Sequence, residues 1–130
     1  MILEERIPGE IADYHYADNG ILYSYSKSIL RTVKNISNNV ELVKQITGNQ
    51  PVPLLIFLTS SPMPDKETRK FSTEKLPEIY SAMAMVSKPG LSQFIMRLLF
   101  KFQKPPIPMK SFSNAEEAEN WLLNFVTKEV

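Results

Sequence analysis

Residues 52–58 read Val52-Pro53-Leu54-Leu55-Ile56-Phe57-Leu58, a continuous apolar run of strand length. A strand with one wet face alternates apolar and polar residues. This one does not, which predicts the centre of a sheet covered by helices on both sides. Upstream, Ile36, Val40, Val43 and Ile46 recur at spacings of four, three and three between Thr32 and Thr47, the stripe of a helix laid on a core, with Gly48 as its stop. Downstream, Thr59-Ser60-Ser61-Pro62-Met63-Pro64 breaks every period and reads as a loop. A short helix follows from a capping Asp65, with Lys66, Glu67, Arg69 and Lys70 in its polar turns and Phe71 facing inward, while Pro77 limits its extension.

The outer segments extend this alternation. From Glu10 to Lys27, two short runs rich in Tyr and Ile are split by Ala17-Asp18-Asn19-Gly20, where Asn-Gly predicts the positive φ angles of a tight hairpin turn. Ala82-Met83-Ala84-Met85-Val86 is a second buried strand, ended by Lys88-Pro89-Gly90. From Leu91 to Phe102, the residues Leu91, Phe94, Ile95, Leu98, Leu99 and Phe102 have helical spacing, and all of them but Leu99 are assigned to the sheet side. Gln103 to Pro108 is a proline-rich connection, and Met109-Lys110-Ser111-Phe112 forms a last short edge strand. Ser113-Asn114-Ala115-Glu116 has the spacing of a capping box, opening a final helix with Ala118, Trp121, Leu122, Phe125 and Val126 inward. The expected architecture is an α/β domain over residues 1–130: a mixed, mostly parallel sheet of about five strands, with an N-terminal hairpin and about four helices.

Composition narrows the function classes. The chain has 130 residues, a size at which one core is the norm, and 43% hydrophobic against 22% charged residues is ordinary for a folded protein. Fifteen basic and fourteen acidic residues leave a net charge of +1, which supplies no global field for nucleic acid. Without cysteine there is no disulfide, thiolate nucleophile or Cys-ligated zinc. The opening Met1-Ile2-Leu3-Glu4-Glu5-Arg6 lacks the basic flank of a secretory signal. The apolar stretch Leu91 to Phe102 is interrupted by Arg97 and Lys101 and is shorter than the ~20 residues of a membrane span. A cytoplasmic location is the expectation.

The pattern resembles the STAS-like group of small α/β domains, which includes bacterial anti-anti-sigma factors and shares an architecture with CRAL-TRIO lipid-binding domains. Closer still, it looks like an uncharacterised bacterial branch of that group. The residues that carry the resemblance are Asp18-Asn19-Gly20-Ile21, Pro53-Leu54-Leu55-Ile56, Glu67-Thr68-Arg69, Ala82-Met83-Ala84, Pro108-Met109-Lys110-Ser111-Phe112 and Glu116-Glu117-Ala118-Glu119-Asn120-Trp121-Leu122. In regulatory members a phosphorylatable serine lies in an Asp-Ser-Ser/Thr-Gly stretch at a helix N-terminus. The corresponding Thr59-Ser60-Ser61-Pro62 lacks both the Asp and the Gly.

Chemistry has few carriers. His15, the sole histidine, lies between Tyr14 and Tyr16 with no ligand spacing around it and reads as structural. No nucleophile elbow, phosphate loop or dinucleotide fingerprint occurs, so no enzyme, metal or cofactor is expected. Ser60 and Ser61 follow the central strand, where ligands of open α/β sheets sit. They are ligand or phosphorylation candidates, or plain turn hydroxyls. Arg69 either pairs with Asp65, four residues earlier, or reaches an anionic ligand. Between Glu78 and Glu116 there is no acidic residue, while Lys88, Arg97, Lys101, Lys104 and Lys110 are basic. Met96, Leu99 and Phe100, left over from the sheet-facing stripe, join Arg97, Lys101 and Lys104 as an interface candidate for a homodimer, an acidic protein partner or an anionic membrane surface. The expected function is a non-enzymatic regulatory or protein-interaction module. The alternative is a small carrier binding a lipid-like or anionic ligand between the sheet and the helix Leu91 to Phe102.

Overall fold

Alternating burial along neighbouring strands builds the sheet, and the helices follow from which side each strand's large side chains occupy. The computed structural model describes residues 5–100 and 105–126, with the backbone alone for 98–100. In chain order the elements are β1 (Ala12–Tyr16), β2 (Leu22–Ser26), α1 (Val33–Thr47), β3 (Val52–Phe57), α2 (Lys66–Ile79), β4 (Tyr80–Val86), α3 (Leu91–Phe100), β5 (Met109–Phe112) and α4 (Ala115–Leu122), which runs into a short 3-10 turn, Leu123–Phe125. The five strands lie side by side in sequence order. β1 and β2 are antiparallel, and every later pair is parallel. A sheet wound steadily in one direction by right-handed crossovers places its crossover helices on one face. Accordingly α1 and α2 contribute to one core, with Met96 of α3 packed against it, and α4 builds a second core behind.

The run at 52–58 has the predicted two-sided burial. Val52, Leu54 and Ile56 face the α1/α2 side, and Leu55 and Phe57 face α4. β4 alternates likewise, with Met83 and Met85 forward and Ala82 and Ala84 backward. Pro53 cannot donate to the ladder, and the β3–β4 register shifts between Val52 and Pro53. α1 starts on a capping box in which the Thr32 hydroxyl accepts from Asn35 N and the Asn35 side chain accepts from Thr32 N. It ends at Gly48, whose φ of 71° is the left-handed conformation a C-cap uses.

Four local expectations need correction. The Asn19-Gly20 link is a longer connection in which only Gly20 takes positive φ, 87°, while Asn19 Oδ1 accepts from Ile21 N. A Cβ on Gly20 would lie 2.7 Å from Val126 Cγ1, so the chain passes close beneath the C-terminal turn. α2 runs through Pro77 to Ile79. Proline removes one bond two residues before the helix ends, a cost offset by burying Leu76 and Ile79 in the front core. α4 is capped by Asn114, whose Oδ1 accepts from Glu117 N at 2.9 Å, one residue later than the predicted Ser113. Finally, α3 is rotated from its predicted phase: Phe94, expected on the sheet, is 50% exposed, and Met96, expected outward, packs on the front core.

Candidate functional site

β3 and β4 end at the same edge, and there the covering layer opens. The loop 58–64 leaves β3, α2 begins at Lys66, and α3 crosses from β4. Between them lies a cleft of about 330 Å³. Ile56, Met83, Met85 and Met109 come from the strands, Ser72 and Leu76 from α2, and Leu91 and Ile95 from α3. The lining is therefore largely apolar and rich in thioether, which adapts its shape to an occupant at low cost. Met63 and Phe94, 56% and 50% exposed, both border this cleft.

The three residues singled out as ligand or phosphorylation candidates meet here. Ser60, Ser61 and Arg69 all line the cleft. The Ser60 carbonyl accepts from Ser28 Oγ at 2.6 Å, while the Ser61 hydroxyl accepts from Arg31 Nη1 at 2.8 Å and donates to the Lys27 carbonyl at 3.3 Å. Arg69 is half-buried and donates from Nη1 to the Pro64 carbonyl at 2.7 Å. It lowers the Asp65 carboxyl pKa only through space. The main cause of that lowering is a hydrogen bond from the Thr68 side chain, followed by one from the Thr68 amide, which donates to Asp65 Oδ1 at 2.8 Å. Asp65 thus occupies the first turn of α2 as a resident anion. No carboxylate pairs with Arg69 among the described residues, and the donors beyond Nη1 meet no protein acceptor there.

Arg31 also lines the cleft and was not among the sequence candidates. Its Nη1 donates to the carbonyls of Lys27 and Ile29 as well as to Ser61 Oγ, and its Nη2 donates to the Ile11 carbonyl and to Ser26 Oγ. One guanidinium thus ties together the residue before β1, the end of β2, the turn before α1 and the loop after β3. Burial pushes its pKa below the usual arginine value, and the group keeps its charge with no carboxylate partner among the described residues.

A second cavity, of about 150 Å³, lies deeper under α1 and α2. Tyr14, Asn39, Tyr80 and Ser24 line it. Tyr14 Oη donates to Asn39 Oδ1 at 2.8 Å, and Tyr14 also hydrogen-bonds Tyr80 and Ser24. Burial raises the pKa of both phenols.

The proposed interface set is not brought together in the same way. Arg97 is exposed on α3, whereas Met96 turns to the core. The side chains of Leu99 and Phe100, and all of Lys101, Phe102 and Lys104, lie outside the described residues. His15 sits on β1 with its ring 6.1 Å from that of Tyr23, and its Nδ1 is 3.3 Å from the Glu5 carbonyl.

Residues 15–126 match the family described as Domain of unknown function (DUF7793). The chain belongs to the DUF7793 family. No functionally curated protein matches it. Among solved structures, this DUF7793 chain is similar to an uncharacterised protein of the DUF3478 family with a SpoIIAA-like fold from Shewanella loihica PV-4. The identity is 16%, with 94% of this chain and 98% of that one covered and a TM-score of 0.61. The likeness shows the fold, and the STAS-like architecture expected from the sequence is the one this DUF7793 chain adopts. Among the described residues no helix is long and apolar enough to cross a membrane.

Proposed function

We propose that this DUF7793 domain is a non-enzymatic binding module that holds one small amphipathic anion in the cleft at the carboxyl ends of β3 and β4. The observation that carries the reading is the pairing of a largely apolar cleft with the Arg69 guanidinium, which lacks a carboxylate partner among the described residues. A guanidinium fork recognises carboxylate or phosphate oxygens in pairs, while the methionines and aliphatic residues desolvate a hydrocarbon body. Arg31 adds positive charge beside the cleft and holds Ser61 in place. The site's position, at the carboxyl edge of a mostly parallel sheet, is where ligands of such sheets bind.

Decanoate is a direct probe. Native mass spectrometry should give a one-to-one adduct and calorimetry a saturable isotherm, with uncharged decanol binding at least about tenfold more weakly and Arg69→Gln erasing that preference. Equal affinity for the acid and the alcohol, or no binding of either, would refute the reading.

A second reading, a regulatory protein-interaction surface on α3, draws support from the exposed Phe94 near the exposed Arg97. Its test is the solution mass of wild type and Phe94→Glu. A dimer split by the substitution supports it, and a monomer in both cases removes the homodimer.

A further inference from the structure

The outer cleft and the deeper cavity share Arg31, Ile36, Ile56, Ser72, Leu76 and Met83. They therefore adjoin, with these six residues as the waist between them, and α2 runs along both. Arg69 borders only the outer chamber, Ser72 and Leu76 border both, and Ile79 borders only the inner one. These α2 positions succeed one another by three or four residues and therefore lie on one helix face. Ten residues separate Arg69 from Ile79, which at the α-helical rise spans ~15 Å, the length of an extended chain of about twelve carbons.

Resting on the reading of the cleft as an anion-headed ligand site, we infer that the occupant is a single unbranched hydrocarbon chain of roughly ten to twelve carbons. Its anionic head sits on Arg69, and its tail passes the waist into the inner chamber along α2. The waist explains the preference for one thin chain. A ring or a second acyl chain would have to displace Ile36, Ile56 and Leu76 together, whereas a zigzag chain asks only that the flexible Met83 side chain swing aside. The inner chamber asks no polar group of the ligand. Tyr14, Asn39, Tyr80 and Ser24 already hydrogen-bond among themselves, and Lys75, which also lines the chamber, pairs with Glu78, so a methyl terminus can lie beside them without orphaning a donor. The outer chamber alone would hold the first carbons of any acid. Discrimination by length resides in the inner one.

The test is a calorimetric series of straight-chain carboxylates of six, eight, ten and twelve carbons. In the wild type, affinity should climb about fourfold per added methylene up to dodecanoate. Ser72→Leu places bulk at the waist from a half-buried helix position. In this variant the climb should stop near octanoate, leaving dodecanoate, relative to hexanoate, at least about tenfold weaker than in wild type. Ile79→Ala lengthens the inner chamber, the only one of the two that Ile79 borders, and should carry the climb on to tetradecanoate, added to the series for this variant. A climb that still ends at dodecanoate in Ile79→Ala overturns the two-chamber inference even if Ser72→Leu fails to fold. Dodecyl phosphate, run alongside, separates the two head-group chemistries and should show the same break in Ser72→Leu. Undiminished dodecanoate binding in Ser72→Leu, or a wild-type climb that already stops at octanoate, overturns the two-chamber inference and leaves the cleft reading standing. Failure of every acid to bind the wild type defeats both.

Discussion

On β4 the residues facing α4 are Ala82 and Ala84, and those facing the other way are Met83 and Met85. The two sides of the sheet differ accordingly. Behind, one helix sets Ala118 and Leu122 against the alanines, Ile21 and Leu55, all without exposure, and Trp121, Phe125 and Phe112 close the edge in ring contacts of 4.9 and 5.8 Å. In front, the methionines of the same strand border two cavities, although α1, α2 and α3 all lie on that side. Small residues let a helix approach closely and fill space, while long flexible ones at alternate positions leave a space that can be refilled. The back of the sheet is tightly filled, and the front keeps the space that the proposed ligand would take.

Substitutions that exchange these properties test the contrast. Leu122→Ala should lower the unfolding free energy by about 3 kcal/mol in urea titration, because a filled site loses a whole side chain. Met83→Leu, on the cleft side, should stay within ~1 kcal/mol. Equal losses would break the comparison. Ala84→Leu should cost about 2 kcal/mol by lifting α4 from the sheet, and its tryptophan emission should report Trp121 becoming wetter. Arg31→Met should cost about 1.5 kcal/mol, since it strips hydrogen bonds from the carbonyls of Lys27, Ile29 and Ile11. It should also speed amide exchange at Ser60 and Ser61, which Leu122→Ala should not do selectively.

The frame of this contrast, though not the contrast itself, was legible in the sequence. The unbroken run at 52–58 placed β3 in the centre, and Ser60, Ser61 and Arg69 drew notice because they follow it. Other features depended on contacts that local rules do not encode. Pro77 reads as a stop when only its own missing bond is counted, yet Leu76 and Ile79 reach the core by continuing the helix. Ser113 and Asn114 are both good caps. The choice follows from where Ala118 and Leu122 must seat, not from the caps themselves. The phase of α3 slipped because its stripe is apolar almost all round, which leaves Phe94 and Met96 equivalent by spacing. Arg31 gave no signal. Its partner Ser61 is thirty residues away, and the two meet only because β2 lies beside β3.

The smallest expected effect concerns pH. Burial raises Tyr14 and Tyr80 above the ordinary phenol value of 10.0, so the unfolded chain loses these protons first. Above about pH 10 the folded state then holds more protons than the unfolded one, and stability should fall as pH rises. Tyr80→Phe should flatten that decline in urea midpoints measured at successive pH values. Its own midpoint at neutral pH should move less than that of Leu122→Ala.

Whether the front of the sheet takes a ligand is tested by titrating decanoate into protein carrying 13C-methyl labels on methionine and alanine, followed by NMR. Saturable shifts are expected at Met83, Met85 and Met109, which line the front cleft, with Ala82, Ala84 and Ala118 behind the sheet unmoved. Methionine methyls that stay still, or shifts spread equally over both faces, would contradict a ligand on the front face.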